Sequence, residues 1–472
     1  MKFDRSRYIF ALPLLAVICA VAALFYWRTR PDDELICERV PGADQPPGAE
    51  GASAVNPLLS GKLIPGAGQP ANLPGSWPQF RGPNRDGANA ENTPLAHTWD
   101  ASGPRLLWAV DCGEGYAGPV VRDGRVYLMD YDYDKRQNAL RCLSLADGGE
   151  IWRYAYSLPV KRNHVMTRTV PALSDKSVVA MDPKCHVLCL DAVTGEFRWG
   201  LNLVSEFGTT VPPWYAGQCP LTDGKSVILA PGGHDALLAA VDLETGKTLW
   251  RSPNPHGWKM THSSVMPMEF ADQRFYVYCG SGGVAGISAK DGALLWETDA
   301  WKISFATVPS PVVLDGGRIL LAGGYNAGSL LLQLQNQDGK LVPKVAWKLD
   351  HDVFSATQHT PVFHDGHVFA TRDNGQFVCL GLDGKVAWAS PPGDSFGLGP
   401  FLLAEGVIFV MNDSGRLTIM EDSSSRYNVL AQAQVLKGRE SWGPMALAGG
   451  RLLVRDFTRL ACLDVSASSS TR

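Results

Sequence analysis

The chain has 472 residues, of which 45% are hydrophobic and 19% charged; that is ample material for a core and far from a disordered composition. At this length a single ordinary compact domain is excluded, whereas a repeat architecture folding as one unit is not. The net charge of −4 and the lack of any long basic run exclude nucleic acid as the main partner.

The first thirty residues differ from the rest. Lys2, Arg5 and Arg7 precede a charge-free run from Tyr8 to Trp27. As a helix that run is about 30 Å long, enough to span a bilayer. Tyr26 and Trp27 suit the interface, and the basic head favours a cytoplasmic N-terminus. Residues 1–30 are therefore expected to be a single-pass anchor with the bulk of the chain outside the cytoplasm, on the periplasmic side. The alternative is a cleaved signal peptide, for which Ala20-Val21-Ala22 supplies a small-residue site. Residues 31–75, rich in Pro, Gly and Ala, are expected to be a linker.

After residue 105 the chain repeats itself. One phrase ends in Trp: LRCLSLADGGEIW to Trp152, LCLDAVTGEFRW to Trp199, LAAVDLETGKTLW to Trp250, AGISAKDGALLW to Trp296, and FVCLGLDGKVAW to Trp388, with a looser copy ending at Trp347. A second phrase, strand–turn–strand with a Pro at its start, alternates with the first at Pro119, Pro171, Pro220, Pro267, Pro311, Pro361, Pro400 and Pro444. Each unit holds four short strands joined by Gly-containing turns, with no helical period long enough for a crossover. The expected fold is all-β, an eight-bladed β-propeller of four-stranded antiparallel blades over residues 76–465, preceded by the transmembrane helix and linker and followed by a tail, 466–472. The last unit stops before its Trp strand, and Arg105–Val110 is a Trp strand with no unit before it. Leu106-Leu107-Trp108 is thus expected to close the ring. Trp108, Trp152, Trp199, Trp250, Trp296, Trp347 and Trp388 are expected to dock blade on blade.

The repeated LDAxTGxxxW phrase resembles the tryptophan-docking motif of the pyrroloquinoline-quinone (PQQ)-type repeat family. That resemblance covers roughly residues 105–465. It implies an eight-bladed propeller and two kinds of function, since the family includes quinoprotein dehydrogenases and non-catalytic BamB-like proteins. SWPQFRGPNRDG, Ser76 to Gly87, resembles a segment that precedes such propellers; Trp77 and Phe80 are expected to dock on the propeller, with turns at Gly82-Pro83 and Asp86-Gly87.

The loops that follow each Trp strand are richer in His, Arg and aromatic residues than the strands. Tyr116, Arg168, Trp214, His262, His359 and Trp442 are candidates for the mouth of the central channel, a pocket for a small ligand or peptide; the alternative is ordinary loop packing. The histidines share no metal-ligand spacing, and the His364/His367 pair sits on a hairpin, short of the three or four ligands zinc needs. Cys142, Cys189, Cys379 and Cys462 occupy one strand position in four units and are expected to be small buried apolar residues. Cys112, Cys219 and Cys279 are the loop-side candidates for a disulfide. GEGYAG, Gly113 to Gly118, matches a dinucleotide-binding pattern, but it leads into a strand and so fails that motif's context.

Two functions follow. The first is a membrane-tethered protein-binding or scaffold module of the cell envelope, BamB-like, monomeric, non-enzymatic and without a cofactor or metal. The alternative is a PQQ-dependent quinoprotein dehydrogenase acting on alcohols or sugars, which the resemblance implies would need the quinone, Ca²⁺ and a disulfide between adjacent cysteines. The chain has no Cys-Cys pair, and no loop concentrates the carboxylates that Ca²⁺ requires.

Overall fold

The computed structural model describes residues 15–25, 56–99, 102–162, 166–438 and 440–467. The chain divides into two compact units, residues 1–40 and 41–472. In the first, residues 15–25 form an exposed apolar helix. The expected twenty-residue span, 8–27, thus lies partly outside the described residues, and among those residues no helix is long and apolar enough to cross a membrane.

The second unit is an eight-bladed propeller, one sheet per repeat. Blade 1 runs Val120–Arg122, Arg125–Asp132, Gln137–Ser144 and Glu150–Ser157, and each later blade repeats this antiparallel meander. The first strands of neighbouring blades approach one another around the central channel. The ring closes as the repeat count requires: Arg105–Asp111 pairs antiparallel with Arg459–Asp464, so the eighth blade is built from both ends of the repeat region. Closure leaves no blade without a neighbour on either face.

The repeated phrase has a physical explanation. Trp108 Nε1 donates to the Leu145 carbonyl of blade 1, Trp152 to Val193 of blade 2, Trp199 to Leu243 of blade 3, Trp347 to Leu382 of blade 6 and Trp388 to Ser423 of blade 7, all at 2.8–3.0 Å. Each indole therefore plugs into the turn of the following blade. The glycine of that turn serves twice. Gly148, Gly195, Gly246 and Gly292 have φ of +69° to +77°, and a Cβ on any of them would lie 2.5–2.7 Å from the docked ring. Directly across the ladder from Trp108, Trp152, Trp199 and Trp388 stand Cys462, Cys142, Cys189 and Cys379, beside a β-bulge in every case. A small side chain there leaves room for the indole, which accounts for the shared cysteine position.

Trp296 departs from the pattern. Its ring is buried and meets Phe275 edge-on, but its Nε1 has no hydrogen-bond partner among the described residues. Blade 5, the next blade, has the long strands Gly328–Gln337 and Lys340–Leu349, not the short turn that supplies a carbonyl elsewhere. In blade 7 the ladder position opposite Ile419 holds Ala431, so that blade carries no docking Trp.

The stretch expected as a linker is described only from residue 56, and from there it is packed. Pro57–Ser60 form a 3-10 turn whose Leu58 is fully buried, and Lys62–Pro65 add a fifth, outer strand to blade 1. Composition suggested a free linker because the segment has no period of its own. It borrows its order from the edge of Glu150–Ser157, where Tyr154 Oη donates to the Leu58 carbonyl. The nine described cysteines are all free thiols, so Cys112, Cys219 and Cys279 form no disulfide. Cys219 Sγ instead accepts the Val170 N–H.

Candidate functional site

Two faces flank the channel. On the hairpin face, the first two strands of each blade are joined by tight turns such as Asp123-Gly124 and Asp365-Gly366. On the opposite, entrance face the chain passes from one blade to the next through longer loops.

The hairpin end of the channel is filled by residues 76–91. Trp77, 2% exposed, exchanges both backbone hydrogen bonds with Val121 of blade 1. The Pro78 carbonyl accepts from Leu173 of blade 2. Ala88–Asn89 run parallel to Phe401–Ala404 of blade 7, and Asn89 Nδ2 donates to the Leu447 carbonyl of blade 8. Glu91 ties the segment off, accepting from Ser76 N at 2.5 Å and Gly449 N at 2.7 Å. Arg81 reaches the entrance end of blade 6, donating to the carbonyls of Thr360 at 2.6 Å and Pro361 at 2.8 Å. The sequence marked Trp77 and Phe80 as docking residues; that they dock inside the channel had no signal in it.

Above this plug the loops gather the candidate residues around the entrance mouth. Tyr116 meets Trp442 in a tilted contact with ring centroids 5.1 Å apart and donates to Glu440 Oε2 at 2.5 Å. Trp442 Nε1 donates to Asp413 Oδ1 at 2.6 Å. On the other side Trp214 meets Phe305 at 4.8 Å, and Phe305 meets Tyr325 at 4.6 Å. Arg168 joins the two groups, with the hydroxyls of Tyr116, Tyr215 and Tyr325 as its electrostatic neighbours. Desolvation pulls its pKa down to about 10, and those three tyrosines oppose the shift. It remains a cation at neutral pH.

His359 lies deeper. Burial, reinforced by repulsion from Arg81, pushes its imidazole down to about 4, with the Leu398 and Trp442 backbone opposing. It is therefore neutral at pH 7, and its Nε2 has no hydrogen-bond partner among the described residues. His262 is engaged with backbone, its Nε2 3.0 Å from the Tyr215 carbonyl and its N–H donating to Thr307. It holds Tyr215, whose φ is +65°, in place.

Glu440, Tyr215, Phe305, Tyr325 and Arg455 complete this end, and sequence reasoning did not single them out as pocket residues. Arg455, 1% exposed, donates to the carbonyls of Ala117 and Gly113 at 2.9 Å and so staples blade 8 to the GEGYAG loop. The glycines of that loop serve packing: a Cβ at Gly115 would lie 2.3 Å from Thr167 Oγ1, and one at Gly118 2.8 Å from the Pro444 carbonyl. The signal for Tyr215 was its place beside Trp214; Arg455 looked like an ordinary strand residue.

The carboxylates at this end are largely engaged. Glu114 pairs with Arg162, Asp299 with Lys302, and Asp394 accepts from Tyr427 Oη. Among the described residues no group of three or more His, Cys, Asp or Glu side chains is arranged to hold a metal ion. The mouth thus sets a cation, Arg168, beside tyrosine rings, with Phe305 57% exposed and Tyr325 42% exposed. In general, exposed aromatic rings offer area and stacking, and a guanidinium beside them favours negative or π-rich groups.

Comparison with known proteins agrees with the blade geometry. The family model described as outer membrane protein assembly factor BamB, a PQQ-like repeat family, matches residues 88–210, 136–342 and 327–426. The chain is 23% identical over 304 residues to the outer membrane protein assembly factor BamB of Yersinia pestis, covering 60% of this chain and 70% of that protein. It is 31% identical over 188 residues to the serine/threonine-protein kinase AfsK of Streptomyces griseus, a match that covers 39% of this chain but only 21% of the kinase. Among solved structures, BamB from Moraxella catarrhalis superposes with a TM-score of 0.53 at 14% identity, over 76% of this chain and 99% of that one. A europium-containing methanol dehydrogenase superposes with a TM-score of 0.61, also at 14% identity, over 81% and 89% of the two chains. At these identities the superpositions speak for the fold alone, whereas the family match spans most of the repeat region: the chain belongs to the BamB-like family of PQQ-like repeat propellers.

Proposed function

We propose that this chain is a non-catalytic protein-binding module of the cell envelope. In this reading the N-terminal apolar segment tethers it to the membrane, the propeller stands on the periplasmic side as a monomer, and the entrance mouth is the contact face. The observation that carries the reading is the aromatic cluster of half-buried Trp214 with exposed Phe305 and Tyr325, Tyr325 being also an electrostatic neighbour of Arg168, above a channel plugged on its other side. Exposed aromatic residues around a cation are the composition of interface hot spots. Kinship with proteins named as outer membrane assembly factors supports a protein partner.

A photo-crosslinking side chain placed at Phe305 in cells tests it. Discrete adducts should form there and disappear on Trp442→Ala. The same probe at Leu249, an exposed apolar residue on the outer strand of blade 3, should give none. Equal labelling at both positions would refute the contact face. The methanol dehydrogenase shares this fold, so the full chain is also titrated with pyrroloquinoline quinone and Ca²⁺. Stoichiometric binding with dye reduction by alcohols or aldoses would replace the binding-module reading with a quinoprotein.

A further inference from the structure

Arg85 stands in the channel plug, 1% exposed. Its Nη1 makes two long contacts, 3.4 Å each, to Gln79 Oε1 and the Pro220 carbonyl. Its Nε and Nη2 are buried and, among the described residues, have no hydrogen-bond partner. Those two groups form one edge of the guanidinium, the planar fork that grips an anion with two parallel N–H donors. Around it lie the Phe80 ring, 5.8 Å from Cζ, and the Cys219 thiol. No carboxylate is among its partners. The nearby Asp86 acts on Arg81, and its Oδ1 accepts the Ala88 N–H. Arg81 itself spends its donors on the carbonyls of Arg85, Asp86, Thr360 and Pro361. Desolvation lowers the Arg85 pKa only to about 10, so a full positive charge stays buried at neutral pH. A buried cation with two unmet donors is among the costliest arrangements an interior can hold.

We propose that the channel core binds one small monovalent anion, of halide or nitrate size, through Nε–H and Nη2–H of Arg85. Size follows from enclosure, because both donor atoms are shut off from solvent by the plug and the first strands. Valence follows from the count of charges: Asp86 offsets Arg81, which leaves one cation to balance. The anion then acts as a structural pin between the plug and blade 3, where Pro220 directly precedes the inner strand Leu221–Asp223.

The full chain in detergent is melted in sodium gluconate and again with chloride or bromide replacing gluconate at fixed ionic strength. With halide at about 100 times its Kd, a saturable rise of about 3 °C is expected for a folded region of this size. Arg85→Met should melt at one temperature in all the salts, and Arg85→Lys should respond more weakly than wild type. Crystals grown in bromide should show an anomalous peak within hydrogen-bonding distance of Nε and Nη2. Salt-independent melting of the wild type would assign the two N–H groups to water and overturn the proposal. Halide dependence persisting in Arg85→Met, or a bromide peak elsewhere only, would overturn it equally. Should Arg85→Met fail to fold, the bromide diffraction from wild type decides alone.

Discussion

Replacing Gly246 by Ala tests the tryptophan–glycine joint at a single atom. The backbone there has φ +69°, and the new Cβ would lie 2.7 Å from Cδ2 of Trp199. That indole cannot easily give way, since it is 6% exposed and its Nε1 donates to the Leu243 carbonyl at 2.9 Å. Gly366 is the matched control, with φ +75° and nothing within 4 Å of its Cβ position. Both substitutions incur the left-handed penalty of about 1 kcal/mol. Only Gly246→Ala adds overpacking, about 2 kcal/mol for a clash with a fixed ring. The expected costs are thus about 3 and about 1 kcal/mol, a difference of about 2–3 °C in melting temperature for a region of this size. Calorimetry of the full chain measures it. In a Trp199→Leu background the excess for Gly246→Ala should vanish, because the opposing ring is gone. Equal destabilisation by the two alanines in the wild-type background would refute the docking argument.

Trp199→Phe removes a made hydrogen bond and Trp296→Phe does not, so the former should cost about 1 kcal/mol more on chemical denaturation; equal costs would mean the indole N–H contributes nothing to blade registry. His359, held near 4 when folded, takes up its proton near 6.5 when unfolded, so its share of stability is complete above pH 6.5 and is lost as pH falls towards 4, to a total of about 3 kcal/mol. His359→Gln should flatten that limb of the stability–pH curve, and an unchanged limb would place the titration elsewhere. Burial pushes the thiols of Cys142, Cys189, Cys379 and Cys462 up to about 12, so peptide mapping should find them unmodified by maleimide at pH 8 until the chain is unfolded. Rapid native labelling of any of the four would show that the blade seam opens.

The parts of the fold that were legible in the sequence are those whose cause is local and repeated. A Trp, a small residue across the ladder from it and a glycine in the next turn form one joint, and the joint recurs at nearly constant spacing. The closing strand was legible by subtraction, because one Trp strand lacked a unit and one unit lacked a Trp strand. The plug was not legible, since Ser76–Glu91 has no period and takes its order from six blades distant in sequence: the inner strands of blades 1, 2, 7 and 8 and the residues just before those of blades 3 and 6. The same holds for Lys62–Pro65, an exposed strand that exists only because the edge of blade 1 is there to pair with. At the mouth, loop composition pointed to aromatic, Arg and His side chains. It did not separate His262, engaged with the Tyr215 backbone, from Arg168, which faces three tyrosines, because that difference lies in backbone direction.

The plug also bears on where recognition takes place. A bare propeller offers two channel mouths, and its two faces compete for any partner that uses the axis. Here the hairpin mouth is taken up by Trp77, Ala88, Asn89 and Glu91, all hydrogen-bonded to inner strands or their turns. The hairpin turns are short, and exposed side chains on or beside them such as Asp175 and His364 are polar. The entrance face carries the exposed Phe305 on a long blade-to-blade loop and the exposed Tyr325 on the turn between Arg318–Gly323 and Gly328–Gln337. In the binding-module reading we propose, a segment that ties the ring from within would also confine axial binding to the entrance face. The plug and the entrance mouth meet at Arg81, which bonds to the entrance end of blade 6 and repels a proton from His359. Loosening the plug should thus be felt at the mouth as a rise in the His359 pKa, a coupling carried by charge and not by movement of the blades.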